Sequence, residues 1–412
     1  MEDLESFRLR AREWLAATMP RRARATTDHQ DQGQDDRVAR ARQLQRTLSD
    51  GGYAGIHYPV EYGGQGLSPA HQRAFTAEAA GYEMPLLFNV PTLGILAPTL
   101  LDFGTEEQKQ RHLPAILRGD ELWVQFLSEP SGGSDLAGCI TRATRDGDVW
   151  VLNGSKIWSS GAYWCDWAMC LARTNWDVPK HRGLTMFIVK IHQPGVQIEQ
   201  IRQVNGAMEF CQEFFDDVHI PEANVVGAVN DGWTVASQLL FHERNSVGGG
   251  SPFVSGGGAE TASGGRLPGN SWLAREVGVA SDPYARDLLA ESHILDVVHG
   301  QLAERMAGGM RSGVFPGTAG AILRLFSGVK GVRQSDITIE IAGVASAAAP
   351  EDSPIGSYAD QFLARQGSCL GGGSTEIARN IISERVLGMP REFAADREVP
   401  FNQVKRNELP SR

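Results

Sequence analysis

Residues 123–135 read Trp-Val-Gln-Phe-Leu-Ser-Glu-Pro-Ser-Gly-Gly-Ser-Asp, and residues 153–161 read Asn-Gly-Ser-Lys-Ile-Trp-Ser-Ser-Gly. The first block is an apolar run that ends in a turn at 127–130 and then offers bare backbone at 131–134. Glycine has no Cβ, so its N–H can approach an anion closely, and the two serine hydroxyls add donors. The second block presents the flat apolar face of Trp158, with Ser160 as a donor two positions on. A planar face beside a pocket of donors suits a flat, partly anionic cofactor. The rest of the chain reads as a holder for it.

The chain has 412 residues, enough for a large core spread over roughly two or three domains. With 49 acidic against 39 basic residues the net charge is −10. That disfavours nucleic acid as a partner but leaves room for a local basic pocket around a phosphorylated substrate. No apolar run approaches a membrane span, and no secretory signal is visible. The five cysteines, at 139, 165, 170, 211 and 369, lack CxxC spacing. They point to small buried thiols in a reducing cytoplasm, with no metal site.

The hydrophobic period changes twice, which predicts an α+β chain. Residues 1–121 read as a helical domain. Leu4, Phe7, Ala11, Trp14 and Leu15 recur at helical spacing until Met19-Pro20, 26–36 is a polar loop, and a helix returns over 39–51. Thr105 is the expected N-cap of a helix opened by Glu106 and Glu107. Residues 122–231 read as a compact β domain, a small barrel by expectation. It has a hairpin at Asp146-Gly147-Asp148 and buried strands over 167–172 and 184–189. Residues 232–392 read as a helical bundle with helices near 282–311, 317–344 and 375–387. A Gly/Ser-rich insertion at 248–270 interrupts it and reads as a flexible surface segment, because glycine runs cannot continue a helix. The polar tail, 393–412, is expected to wander or to wrap a neighbour.

Ser128-Glu129-Pro130 with Gly133-Ser134-Asp135, followed by Asn153-Gly154-Ser155-Lys156-Ile157-Trp158-Ser159-Ser160, resembles the middle-domain signature of acyl-CoA dehydrogenases. Tyr58-Pro59-Val60-Glu61-Tyr62-Gly63-Gly64 resembles a second family segment. Gly371-Gly372-Gly373-Ser374-Thr375-Glu376-Ile377 resembles a third, a glycine-rich loop entering the last helix. The resemblance implies an N-terminal helical domain, a middle β-barrel domain and a C-terminal helical bundle that together bind FAD. It implies flavin contacts at Gln125, Phe126, Leu127, Ser128, Gly133, Ser134, Trp158, Ser159 and Ser160, and from the last helix at Ser374, Thr375 and Glu376. It implies a substrate surface at Ser134, Phe241, Arg244, Gly372 and Gly373, an acyl-CoA substrate and an electron-transfer flavoprotein as electron acceptor.

Acyl-CoA dehydrogenases move a proton from Cα to a carboxylate and a hydride from Cβ to flavin N5, which needs a placed base, donors for the thioester oxygen and exclusion of water. Many members keep the base in the C-terminal loop, where this chain has Gly372. The isovaleryl-CoA and long-chain types carry a Glu on the bundle helix just before an Arg, and this chain has Glu243-Arg244 there. The resemblance therefore makes Glu243 the base, with its pKa raised by burial. His242 and His293 lack a nucleophile or metal partner and read as structural, and Asp135 as a turn residue.

Two family motifs that grip a neighbouring subunit's FAD are missing. Ser281-Asp282-Pro283-Tyr284-Ala285-Arg286 stands in place of Arg-x-x-Phe-Gly, and Glu340-Ile341-Ala342-Gly343-Val344-Ala345-Ser346 in place of Gln-x-x-Gly-Gly-x-Gly. Two explanations stand open: a divergent homo-oligomer, or a hetero-oligomer with a second acyl-CoA dehydrogenase-like chain. The latter resembles bacterial enzymes for bulky ring-bearing or steroid side-chain thioesters. Other readings are a flavin-dependent oxidase or monooxygenase on the same fold, or a non-catalytic subunit.

Overall fold

Helix α1 (Leu4–Thr18) buries Phe7, Ala11 and Leu15 on one stripe, starts where the Asp3 carboxylate accepts the Glu5 and Ser6 N–H groups, and stops at Met19. In this computed structural model residues 2–22, 34–247, 251–254, 268–350 and 353–404 are described. Helix α2 (Gln34–Asp50) begins inside the segment expected to be a loop, with Asp35 and Asp36 facing its positive end. The rest of that expected loop, 26–33, lies outside the described residues. Then come α3 (Pro69–Glu78), α4 (Ala97–Phe103) and α5 (Glu106–Arg118). Thr105 caps α5 in a reciprocal box with Gln108.

The stretch Leu86–Phe103 departs from the sequence reading, because by length and composition alone it could cross a membrane. It is a broken core helix: Val90 is extended inside it (φ −134°, ψ 124°), and Leu93, Ile95, Leu96, Ala97 and Leu100 are buried. A helix enclosed on several sides is apolar all round, which is why composition mimics a span.

The middle of the chain is β1 (Trp123–Phe126), β2 (Arg142–Asp146), β3 (Val149–Ser160), β4 (Trp167–Arg173), β5 (Leu184–Lys190), β6 (Val196–Gln200), β7 (Phe210–Pro221) and β8 (Val225–Val226). Their order is β6-β7-β3-β2-β4-β5-β8, with β1 added parallel to β4. Among the described residues no pairing joins β6 to β8, so the sheet is open where a small barrel was expected. Gly147, at φ 60°, makes the β2–β3 hairpin. The long β3–β7 pair slips register twice, between Leu152 and Gly154 and between Ile157 and Ser159. The second slip is a bulge, and it bears on the site.

Among the described residues the longer helices that follow are α6 (Gly232–Val247), α7 (Asn270–Glu276), α8 (Pro283–Arg311), α9 (Gly320–Ala342), α10 (Pro354–Ala364) and α11 (Thr375–Ile381). Leu273, Leu288, Ile337, Ile341 and Tyr358 form a core shared by α7 to α10, while α6 buries Val235, Ala236 and Leu239 in the core of the sheet. The described part of the Gly/Ser-rich insertion is anchored, not loose: the Phe253 ring packs on Tyr58 (5.0 Å), His57 (5.2 Å) and His242 (6.2 Å). Residues 248–250 and 255–267 lie outside the described residues. The tail is likewise docked on its own sheet as far as it is described. Phe401 N–H donates to Val178 O, Asn402 N–H to Trp176 O (both 2.9 Å), and the Arg173 guanidinium lies 3.5 Å from the buried Phe401 ring. All five cysteines are free thiols, four of them buried, and no metal-binding cluster occurs among the described residues.

Candidate active site

A buried ion pair joins the two quoted blocks. Lys156 on β3 reaches under the 128–134 turn and donates to Glu129 Oε1 (2.9 Å) and Leu127 O (2.9 Å), with both charged side chains almost fully enclosed. Glu129 also accepts the backbone N–H groups of Ile140 (2.7 Å) and Thr141 (2.8 Å). Burial alone would raise the Glu129 carboxyl; Lys156 and those N–H groups outweigh it and hold it at about 2. The Glu129–Gly132 bridge closes the turn, leaving Gly133 and Ser134 exposed. The sequence reading quoted Glu129 and Lys156 but missed the pairing; a lysine on an otherwise buried strand position was the available signal.

Trp158 sits on the β3 bulge at φ 69°, a conformation that side chains rarely adopt, and 54% of its surface is exposed. Its indole meets Phe210 edge-on at 5.9 Å, which leaves a face free. A strained, outward-facing tryptophan beside an exposed glycine-serine turn fits the isoalloxazine and phosphates of a flavin. Ser160 is exposed on the same strand. Ser159 is buried, its hydroxyl within hydrogen-bonding distance of Glu213 Oε2 (3.1 Å) and Gln125 O (3.3 Å), so it acts on the site from behind. The Phe126 and Leu127 side chains are also buried, which leaves only their backbone for a cofactor.

Glu243, on α6, is largely enclosed but keeps part of its surface accessible. Gln125 Nε2 donates to its Oε2 (3.3 Å). A side chain built on Gly372 would begin 3.9 Å from Glu243 Oε1. Gly372 and Gly373 lie at φ 72° and 92°, and Ser374 then caps α11 by accepting the Ile377 N–H. Burial raises the Glu243 carboxyl above the ordinary carboxylate range, partly offset by the Gln125 bond and by Arg244 and Arg324. A raised carboxylate with one long hydrogen bond is equipped to take a proton. The chain of contacts from Trp158 through its neighbour Ser159 and Gln125 to Glu243 links the flat face to this carboxylate.

The other expected site residues fall around this core. Thr375 is buried and donates to the Glu376 carboxylate (3.1 Å), which is exposed at the α11 entry. Arg244 has accessible surface although burial lowers its guanidinium, and Phe241 is 42% exposed. His242 bonds Asp102 (2.8 Å) and Asp135 pairs with Lys180 (3.0 Å), each a structural contact. Sequence reasoning missed Arg324 on α9, which donates to Ser368 O (2.9 Å) and Gly371 O (2.7 Å) and so holds the glycine loop.

Comparison with known proteins places this geometry. Residues 1–120 match the acyl-CoA dehydrogenase N-terminal domain and 125–218 the acyl-CoA dehydrogenase middle domain. Acyl-CoA dehydrogenase IpdE1 of Mycobacterium tuberculosis is 35% identical over 402 residues, covering 95% of this chain and 99% of that one. The solved Tcur3481-Tcur3483 steroid ACAD is 29% identical with a TM-score of 0.73, covering 95% and 99%. The ChsE4-ChsE5 complex from Mycobacterium tuberculosis is 27% identical with a TM-score of 0.71, also covering 95% and 99%.

Proposed function

The chain belongs to the acyl-CoA dehydrogenase family, FAD-dependent oxidoreductases acting on CH–CH donors, and from that premise we propose that it converts an acyl-CoA thioester to its enoyl-CoA with Glu243 as base. The observation that carries this is the meeting of Glu243 Oε1 with the empty side-chain position of Gly372. The acid missing from the loop is replaced, at the same place, by one from the helix.

Bound FAD supplies the hydride acceptor. The chain's residues do the rest. Trp158 and the 131–134 turn seat the cofactor, Glu243 takes the Cα proton, and the backbone N–H of Gly372 offers a donor to the thioester oxygen as charge gathers there. Gln125 orients the carboxylate.

The acyl group we favour is a bulky ring-bearing or steroid-derived one, because the similar solved structures include a steroid ACAD. We also favour a heteromeric assembly. Tyr284 and Glu340, from the two segments that depart from the cross-subunit motifs, meet in one place: the Tyr284 hydroxyl donates to Glu340 Oε2 (2.5 Å), and Arg333 pairs with Glu340 (2.9 Å). Arg333 is shared with a second carboxylate, Glu291 (2.6 Å), so the cluster keeps a net negative charge that repels a pyrophosphate, and this surface suits a partner whose FAD it does not grip. An electron-transfer flavoprotein as acceptor and a reducing cytoplasm, in keeping with the buried free thiols, complete the reading.

Anaerobic mixing with a panel of CoA thioesters tests the activity. Bleaching of the flavin by a ring-bearing thioester with slow reoxidation in air supports it, and fast reoxidation selects an oxidase instead. FAD content of the lone chain against the co-expressed pair tests the assembly: a full complement in the lone chain overturns the heteromer.

A further inference from the structure

The glycine loop at 371–373 has no side chain with which to hold its own backbone or to influence the base. Arg324, on α9, lies across from it. Two of its guanidinium nitrogens are committed to the carbonyls of Ser368 and Gly371, which fixes the peptide leading into Gly372. Its Nε is buried without a hydrogen-bond partner and lies 3.8 Å from the point where a Gly372 side chain would start, the point that Glu243 Oε1 approaches to 3.9 Å. Glu243 and Arg324 therefore converge, from two helices, on the space the loop leaves empty. Both lie within 4 Å of the same point, so the guanidinium and the carboxylate are no more than about 8 Å apart, a range at which opposite charges in a partly buried pocket attract.

We propose that Arg324 is a positioning residue of the reaction, which fixes the Gly371–Gly372 peptide for the thioester oxygen and sets a positive charge against Glu243 so that the base is ionised at neutral pH. The proposal rests on Glu243 being the base. Groups facing Glu243 are the neutral Gln125 from β1, Arg244 from its own helix, and Arg324 from α9. Burial pushes the Glu243 carboxyl up, and both arginines pull it back. Of the two, Arg244 on Glu243's own helix acts on the carboxylate more strongly, while Arg324 is the one that also grips the glycine loop and so couples the base to it.

The test compares wild type, Arg324→Gln and Arg324→Lys, each loaded with FAD, by the pH dependence of flavin bleaching. Removing the cation raises the carboxyl further, so in Arg324→Gln the acidic limb moves up by about one pH unit, a tenfold change in the ionised fraction on that limb. Arg324→Lys keeps the charge but not the two-pronged grip: its limb stays with wild type while the plateau rate falls about tenfold. Infrared titration of the Glu243 carboxyl band in the flavin-free chain, assigned by its loss in Glu243→Gln, gives the same shift without turnover. A limb and band that stay in place in Arg324→Gln, or that move equally in both variants, overturn the proposal. Should Arg324→Gln not fold, the Arg324→Lys limb and band decide alone: unchanged position with a lowered plateau supports the proposal, and any other result overturns it. Failure of the base assignment looks different: Glu243→Gln then bleaches at the wild-type rate, whatever Arg324 does.

Discussion

Replacing Glu129 with Gln removes one side of the buried pair that hinges the 128–134 turn on β3. Lys156 then keeps Leu127 O and loses its carboxylate, while the Ile140 and Thr141 N–H groups face at best a single amide oxygen. Stranding one charge of a buried pair costs about 3–5 kcal/mol. The pH linkage gives the same scale. The Glu129 carboxyl falls from 4.5 to about 2 on folding, worth about 3 kcal/mol. Because its folded value is depressed, that contribution is complete above the unfolded value of 4.5 and is lost as pH falls toward about 2. Denaturant unfolding of the FAD-loaded protein, followed by tryptophan fluorescence, should show the loss, and FAD should bind at least about tenfold more weakly because the turn that faces its phosphates has lost its anchor. The double variant Glu129→Gln/Lys156→Met should recover part of the loss, since no charge is then stranded. A single variant within about 1 kcal/mol of wild type, with unchanged FAD affinity, would refute the reasoning.

Glu213, fully buried beside Ser159, is pushed up to about 8 by burial, so it folds as the neutral acid; its contribution is full below 4.5 and is lost as pH rises toward about 8. Glu213→Gln should therefore be more stable than wild type above about pH 8, and thermal melts across neutral to alkaline pH check this. Gly372→Ala places a Cβ at φ 72°, strained by about 1–2 kcal/mol, and should slow flavin bleaching about tenfold or more with FAD content unchanged; an unaffected rate would remove the loop from the site. Phe401→Ala deletes the ring that Arg173 covers and should free the tail from the sheet, read as faster proteolysis after residue 393.

The sequence exposed the local parts of this site and hid the tertiary ones. The Gly/Ser turn, the tryptophan block and the Thr105 cap are written in adjacent residues, so their shapes follow from short-range sterics and hydrogen bonding. The Gln125–Glu243 bond spans 118 positions and the Arg324–Gly371 bond 47, and no local pattern marks either. The open sheet escaped the reading because closure depends on whether two edge strands meet, not on alternation within a strand. Burial set Ser159 apart from its exposed neighbours Trp158 and Ser160 and turned the Phe126 and Leu127 side chains inward, since resemblance names positions without saying which way a side chain faces. Leu86–Phe103 went unnoticed for a related reason: it is long and apolar enough to cross a membrane by composition, yet that composition reflects enclosure by the protein.

The account turns on a carboxylate of α6 taking the proton that no residue of the 371–373 loop can take. Rapid anaerobic mixing of FAD-loaded wild type and Glu243→Gln with the same reducing thioester measures this directly. The expected result is flavin bleaching slowed by about 10²–10⁴-fold in Glu243→Gln at equal FAD content. Bleaching of that variant at the wild-type rate would contradict it.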